Sequence, residues 1–242
     1  KSKSIDEGIL KKAILRAEED YADDAQAEQS QIEAVEEAGK RMAPPTTQEQ
    51  SLLKAMRRWA DANRNKTDSK AKALIEWIES HLKTNGEWND ERVIIFTEYL
   101  ATYQWLFEIL TGHGYGGERL KGLHGGMDQE KEREPVKAAF QAHPADSPVR
   151  ILLATDAASE GIDLQNHCSR LIHLEIPYNP NVMEQRNGRI DRWGQKEDLV
   201  QIWHMAGQGH EADIVRALKK LETMREDMGS VNPVIAPQWA QL

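Results

Sequence analysis

The segment EQRNGRIDRWGQ, which begins at Glu184, carries three arginines and an aspartate directly after an apolar stretch. Gln185, Arg189 and Arg192 are spaced i, i+4 and i+7, so a helical segment would place all three on one face. A guanidinium is planar, permanently charged and suited to phosphate oxygens. The pattern is typical either of a phosphate-binding surface or of a solvated helix face on which Asp191 and Glu184 pair with the arginines.

Other motifs that bind phosphate or metal, or that position a nucleophile, are missing from the sequence. It contains no GxxxxGK[ST] phosphate loop and no GxSxG nucleophile elbow. A single aspartate, Asp156, follows the apolar run ILLAT, where a metal site would need an acidic pair, and no two histidines stand at i, i+4. We therefore predict that the chain alone holds neither a triphosphate nor a metal. A phosphate reached by the arginines would belong to another domain.

The elements that position these residues are apolar strands alternating with amphipathic helices. Strands are predicted at 92–97, 119–127, 149–156, 170–177 and 199–206. Helices are predicted from Asp68 or Ser69 to near Gly86, at 99–110 and 128–141, from Pro180 through the arginine segment, and at 210–228. Strands that are apolar throughout predict an α/β fold with a parallel sheet covered by helices on both faces. Ligands of such sheets bind beyond the carboxyl ends of the strands.

Composition divides the chain into three regions. Residues 1–66 are rich in Ala, Glu, Gln and Lys and predict a helical, acidic extension or linker arm. Residues 67–228 form the predicted α/β lobe, and residues 229–242 an irregular tail. The net charge is −9, but residues 17–37 alone hold nine carboxylates and no Lys or Arg, and the remainder carries 31 acidic and 31 basic residues. The net charge therefore neither indicates nor excludes nucleic-acid binding.

Further compositional features narrow the class of protein. The only cysteine is Cys168, which excludes an internal disulfide and a cysteine-based zinc site and suits a reducing, cytoplasmic location. No apolar run approaches the roughly 18 residues of a membrane span, so no membrane association is expected. The first residue is not methionine, and we expect the chain to be part of a longer polypeptide.

Several of these segments together resemble the motifs of superfamily-2 helicases. VRILLATDAASEGIDLQ and LIHLEIPYNPNVMEQRNGRIDRWGQ resemble motifs V and VI, RVIIFTEY is similar to motif IV, and LHGGM to the His-Gly element after the next strand. QRNGRIDRWGQ is most similar to the Swi/Snf-type translocases, particularly the bacterial ones, although Asp191 stands where many eukaryotic members have a basic residue. The resemblance covers about residues 68–205. It implies the second, C-terminal RecA-like lobe, with a phosphate-loop lobe on its N-terminal side.

The resemblance assigns roles to the residues of motifs V and VI. Arg189 and Arg192 are implied to reach the γ-phosphate across a cleft, with Arg192 as the arginine finger and Gln185 ordering the contact. In motif V, Gly161 and Asp163 are implied to approach the nucleotide, with Asp163 at the ribose. The motif V residue implied to hold this loop is Glu160. Alternatively, Asp163 caps a turn.

A second set of residues is implied to face the nucleic-acid backbone. It consists of Thr97, Glu98, His124, Gly125, Gly126 and Thr155. Alternatively, Thr155 simply ends a strand and His124 is a hydrogen-bonded loop histidine.

Five further residues receive structural roles. We expect Arg186 to form a structural ion pair, and His173 and His204 to lie in the core. Tyr178 and Trp193 are aromatic residues for which packing is favoured over stacking on a base or on adenine.

The resemblance implies the C-terminal lobe of an ATP-dependent DNA translocase. ATP with Mg²⁺ would be bound mainly by the first lobe, so this lobe alone should be inactive. The expected partners are duplex DNA, contacted without sequence specificity, the first lobe of the same polypeptide, and a protein partner for the acidic segment 17–37. The alternatives are a non-catalytic, helicase-like protein-interaction module and an RNA helicase lobe, the latter disfavoured by the ending RWGQ.

Overall fold

The computed structural model describes residues 43–64, 66–156, 162–177 and 180–207, and the single residues Gln29, Ile32 and Gly39. The predictions for most of the acidic segment 17–37, the helix at 210–228, the tail at 229–242, and for Glu160, Gly161 and Tyr178 lie outside these residues. Among the residues described, no helix is both long and apolar enough to cross a bilayer.

The described elements follow the predicted alternation of strands and helices. The α-helices are α1 (Thr47–Asn63), α2 (Ser69–His81), α3 (Leu100–Leu110), α4 (Glu134–Gln141) and α5 (Pro180–Asn187). The strands are β1 (Lys83–Thr84), β2 (Glu87–Trp88), β3 (Val93–Thr97), β4 (Leu120–Leu123), β5 (Ile151–Thr155), β6 (Arg170–His173) and β7 (Gln201–His204). Two π-helical turns, Thr111–Tyr115 and Gln129–Arg133, follow α3 and precede α4.

Strands β3 to β7 form one parallel sheet in the order β4-β5-β3-β6-β7. Alternate residues of each strand face opposite sides. Ile95 and Leu153 join one apolar cluster with α2 and α3, whereas Ile94 and Leu152 join a second cluster with Phe140 of α4. The predicted α/β, RecA-like sheet with helices on both faces is confirmed, and the central strands read as continuous apolar runs because both their faces are buried.

The helical extension predicted before the lobe is present as α1 in the described part. Thr46 caps this helix, since its hydroxyl accepts from the amide of Glu49 while the Glu49 carboxylate accepts from the amide of Thr46. None of the residues of α1 is buried. Its apolar side chains, including Met56 and Trp59, are exposed to solvent.

A two-stranded antiparallel hairpin, β1–β2, occupies the position at which we predicted the end of a helix. Helix α2 ends at His81, and the hairpin turns at Asn85 and Gly86, whose φ angles are 54° and 85°. Consecutive positive φ angles at Asn-Gly are the requirement of a tight hairpin turn. The Asn-Gly pair was therefore a hairpin signal that the helical pattern concealed.

The helix predicted at 128–141 is divided in two. A π-helical turn at Gln129–Arg133 precedes α4, and the amide of Glu134 donates to the carbonyl of Gln129, five residues earlier. Pro135 lies in the first turn of α4, where its missing N–H costs no helical hydrogen bond. The proline therefore sets where the regular helix begins.

We predict that Gly122→Ala destabilises the lobe, because β4 passes very close to α3 at this point. A Cβ on Gly122 would lie 1.8 Å from the hydroxyl oxygen of Tyr103. Overpacking of this kind costs about 1–3 kcal/mol. Urea unfolding should show the loss, with partial recovery in the double variant that also carries Tyr103→Phe. Gly112→Ala is the control, since a Cβ there meets nothing within 4 Å; equal losses in both variants would contradict the prediction.

Candidate functional site

The carboxyl ends of the strands meet along one edge of the sheet. Thr97 of β3 lies opposite Thr155 of β5, and Phe96 lies opposite His173 of β6. Strand β4 ends beside β5, so that His124 follows at the same edge. The structure thus brings together the ends of the segments that resemble motifs IV and V, the His-Gly element, and the strand that leads into motif VI.

Arg186 is the centre of this edge. Its side chain is 1% exposed, and its Nε and Nη2 atoms each donate to a carboxylate oxygen of Asp156 at 2.6 Å. Its Nη1 donates to the carbonyl oxygen of Glu175 at 3.2 Å, and its guanidinium lies 5.5 Å from the centre of the Phe96 ring. These contacts hold α5 against the ends of β3, β5 and β6. They agree with the structural ion pair predicted for Arg186.

His173 links Arg186 to the end of α5. Its Nε2 lies 2.9 Å from Oδ1 of Asn187, and its Nδ1 lies 3.4 Å from Nη1 of Arg186. Burial, followed by the charge of Arg186 and by His204, lowers the pKa of His173 to about 3. The neutral ring therefore donates from Nε2 to Asn187 and offers Nδ1 to the arginine. The core position predicted for His173 is confirmed, and His204 is half-buried and stacks on it at 4.8 Å.

Glu175 ties the end of β3 to the segment after β6. The Thr97 hydroxyl donates to one of its carboxylate oxygens at 3.2 Å, and the Glu98 amide donates to the other at 3.3 Å. Burial raises the pKa of Glu175, and these two hydrogen bonds oppose that shift by stabilising the charged carboxylate. The turn that follows β3 is consequently fixed by a side chain from the segment after β6.

The residues predicted to face a nucleic acid differ in accessibility. Thr97 and Thr155 are fully buried, so neither hydroxyl reaches solvent in this conformation. Glu98 and Gly126 are exposed, and the other two residues of the 124–126 loop are half-buried. The accessible part of the predicted track is therefore the 124–126 loop with Glu98. Contacts of the two threonines with a nucleic acid stay a prediction.

Arg133 holds the loop after β4. Its Nη2 donates to the carbonyl oxygens of His124 at 3.2 Å and of Gly125 at 2.6 Å. The His124 carbonyl also accepts from the amide of Met127 at 3.2 Å, which closes the turn. Arg133 is the last residue of the π-helical turn before α4. A guanidinium therefore lies beside this loop, where positive charge favours a phosphate.

Helix α5 ends before Arg189 and Arg192, so these arginines do not lie on the predicted helical face. Its last residue is Asn187, and the amides of Arg189 and Ile190 bond to carbonyls three residues earlier. The prediction that Gln185, Arg189 and Arg192 share one helical face is wrong, because only Gln185 lies on the helix. Burial of Ile190 in the second apolar cluster accompanies the change to successive turns. Gln185 and Arg192 are exposed, and Arg189 is half-buried.

The turns that follow α5 and carry Arg189 and Arg192, called the arginine turns below, contact the segment that resembles motif V. Arg192 forms an ion pair with the carboxylate of Asp163, and both side chains are partly exposed. The amide of Leu164 donates to the carbonyl of Arg189 at 3.1 Å. The side-chain amide of Gln141 donates to the Asp163 carbonyl. Asp163 and the two arginines are thus brought together, whereas their roles toward a nucleotide stay predictions.

For three residues at this edge, the sequence analysis predicted no functional role. Asp156 was noted only as a strand-end aspartate, although a buried arginine requires a carboxylate partner. Glu175 is a charged residue within the apolar run LIHLEIP, which was a signal for a bonded carboxylate. Arg133 carried no such signal, because its position depends on the π-helical turn.

Over the residues that the structure covers, no three histidine, cysteine, aspartate or glutamate side chains are grouped to hold a metal ion. Among the turns that follow α5, Arg189 and Arg192 carry positive charge that is half-buried and exposed, respectively. Binding of Mg²⁺ with ATP, mainly by another lobe, stays a prediction.

The family of the chain follows from a sequence comparison. Residues 69–194 match the model of the helicase conserved C-terminal domain. The chain belongs to this family. The matched region includes the central strands, α5 and the turns that carry Arg189 and Arg192. The resemblance to the C-terminal RecA-like lobe of a superfamily-2 helicase of Swi/Snf type is confirmed.

Two similar bacterial proteins bear helicase-related names. The chain is 34% identical over 148 residues to the uncharacterized ATP-dependent helicase YqhH of Bacillus subtilis (strain 168), a match that covers 60% of this chain and 25% of that protein. It is 32% identical over 125 residues to the RNA polymerase-associated protein RapA of Erwinia tasmaniensis, covering 52% of this chain and 12% of that protein. The chain therefore spans a quarter or less of these relatives.

A solved structure supports the fold. The C-terminal part of the Fun30 ATPase domain superposes with a TM-score of 0.52 at 19% sequence identity, covering 62% of this chain and 44% of that one. At this identity the likeness concerns the fold alone.

Proposed function

We propose that the chain is the second lobe of an ATP-dependent, Swi/Snf-type DNA translocase. In this proposal it completes an ATPase site that a phosphate-loop lobe of the same polypeptide begins; the polypeptide with both lobes is called the parent chain below. The observation that carries the proposal is the contact between the arginine turns and Asp163 on a lobe without a phosphate loop. A lobe that has arginines but no phosphate-binding loop is consistent with an ATPase site formed between two lobes.

The chemical role follows from the Arg192–Asp163 ion pair. Arg192 is partly exposed, so it can exchange the carboxylate for the γ-phosphate of a nucleotide on the facing lobe. Asp163 is then left to accept a hydrogen bond from a ribose hydroxyl. Arg189 is anchored through its carbonyl to the amide of Leu164, which couples its position to the same loop. Charge stabilisation at the transferring phosphoryl group is the main protein contribution to such reactions.

The nucleic-acid track lies at the same edge of the sheet. The 124–126 loop presents backbone to solvent beside the Arg133 guanidinium, and such groups bind phosphates without selecting a base sequence. Nucleotide-driven closure of the two lobes would move this edge relative to the first lobe. Binding should therefore be independent of sequence and sensitive to salt. Because RapA proteins are named as RNA polymerase-associated, RNA polymerase is the partner to test first for the acidic segment 17–37.

The track can be tested by placing one negative charge on the loop. In the parent chain, Gly126→Asp should raise the Kd for duplex DNA about fivefold, as expected for a like charge within a few ångströms of a phosphate. Its Cβ would meet the His124 ring at an ordinary 3.6 Å, so no backbone strain is introduced. The matched control is Gly112→Asp, in open space at the end of α3. Equal DNA affinity of both variants, measured by fluorescence anisotropy at several salt concentrations, would remove the loop from the track.

A further inference from the structure

Trp193 is held out into solvent beside the arginine finger candidate. Its side chain is 96% exposed, more than that of any other large apolar residue in the described part of the chain. The prediction that it packs within the domain is wrong. Large exposed aromatic side chains mark interaction surfaces, in which tryptophan frequently supplies much of the binding energy.

The backbone that carries Trp193 is fixed on both sides. Gln165 donates from its side-chain nitrogen to the Trp193 carbonyl at 3.4 Å. The side-chain nitrogen of Gln195 donates to the carbonyls of Ile190 and Cys168, at 3.0 Å each. The next residue after the tryptophan is a glycine with φ 93°, a conformation that L side chains rarely adopt. The backbone of this turn is therefore preformed, which lowers the part of the entropy cost of docking that comes from ordering the backbone.

The surroundings of the indole favour a protein partner over a phosphate. Asp191, Glu197 and Asp198 are exposed on the same short stretch, and Lys196 is the one lysine between them. Arg192 is already paired with Asp163. An acidic surface repels a nucleic-acid backbone, whereas it suits an apolar pocket with a basic rim.

We propose that Trp193 docks into an apolar, basic-rimmed pocket of the phosphate-loop lobe when the two lobes close around ATP. Trp193 directly follows Arg192, so a partner that receives the guanidinium at a phosphate also meets the indole. The matched relatives are at least four times longer than the aligned region, which leaves room for such a lobe. The inference rests on the two-lobe function proposed above and adds the surface by which the lobes recognise each other.

The test measures closure of the two lobes in the parent chain. Energy transfer between dyes on the two lobes is recorded as a non-hydrolysable ATP analogue is added. Trp193→Ala should raise the analogue concentration needed for half-maximal closure about tenfold, as loss of a docked tryptophan does. Trp193→Phe, which keeps most of the apolar area, should recover part of this loss. The melting temperature should stay unchanged, because the side chain packs on nothing in the open lobe.

Trp59→Ala is the matched control, since Trp59 is 71% exposed on α1 and remote in sequence from the arginines. It should close as the wild type does. Unchanged closure in Trp193→Ala, or an equal loss in Trp59→Ala, would overturn the docking role. Normal closure combined with weaker DNA binding would also overturn it and assign Trp193 to the nucleic acid. A separate ATP turnover assay of Arg192→Ala distinguishes failure of the docking role from failure of the two-lobe function. Lost hydrolysis in that variant upholds the two-lobe function even if Trp193 proves unimportant.

Discussion

Replacement of Arg192 by alanine in the parent chain should lower the kcat for ATP hydrolysis by about 10³-fold or more, as removal of an arginine finger does in other phosphoryl-transfer enzymes. ATP binding should change little, because the proposal places most nucleotide contacts on the first lobe. In the proposed mechanism the guanidinium acts on charge that develops at the transferring group, not on the bound ground state, so a large effect on kcat is expected. Turnover at saturating duplex DNA and a fluorescent-nucleotide Kd measure the two quantities separately.

Two variants sharpen this prediction. Arg192→Lys keeps the charge but loses the planar fork, and we expect it to recover little of the lost rate. Arg57→Ala removes an exposed arginine of α1 and should hydrolyse ATP as the wild type does. If Arg192→Ala turned over ATP at the wild-type rate, its arginine would be surface charge. The non-catalytic interaction module would then become the better account of this lobe.

Removal of Arg186 should strongly destabilise the lobe. Arg186→Met removes a buried cation from the Glu175 carbonyl and from the Asp156 carboxylate, which is itself 32% exposed. Breaking one partner of a fully buried ion pair costs about 3–5 kcal/mol, and the partial exposure of Asp156 places the expected loss at the lower end of that range. Urea unfolding of the lobe should therefore show a much lower midpoint at an unchanged slope.

The matched control is Arg170→Met, whose partner Glu91 has a side chain that is 46% exposed. Pairs of that kind contribute about 0–1 kcal/mol. The double variant Arg186→Met with Asp156→Leu should recover part of the loss, because it removes the uncompensated carboxylate as well. A loss in Arg186→Met no greater than in Arg170→Met would show that the bidentate pair does not hold α5 to the sheet.

The sheet was predictable because its signals are local and redundant. Each central strand is an uninterrupted apolar run, and the strands alternate with helices whose apolar positions recur at helical spacing. The carboxyl-edge placement of Thr97, His124 and Thr155 followed directly from that alternation. The position of a residue at a strand end does not specify how far its side chain is buried. Thr97 and Thr155 are both fully buried, which depends on how neighbouring segments cover the edge.

The arginine segment shows where sequence periodicity stops being informative. Spacings of four and three residues predict one helical face only if the helix continues, whereas α5 ends at Asn187 and Ile190 is buried in the turns that follow. The same limit applies to Arg133, whose contact with the 124–126 loop depends on a π-helical turn. Exposure of Trp193 likewise depends on side-chain hydrogen bonds from Gln165 and Gln195, which no local pattern encodes.

The central claim is that this lobe belongs to a motor that moves along duplex DNA at the expense of ATP. The most direct measurement is displacement of a third strand from a DNA triplex by the parent chain. We expect ATP-dependent displacement of the third strand, no separation of the underlying duplex, and no displacement by Arg192→Ala. Failure to displace the third strand while ATP is hydrolysed, or separation of an RNA duplex instead, would contradict the claim.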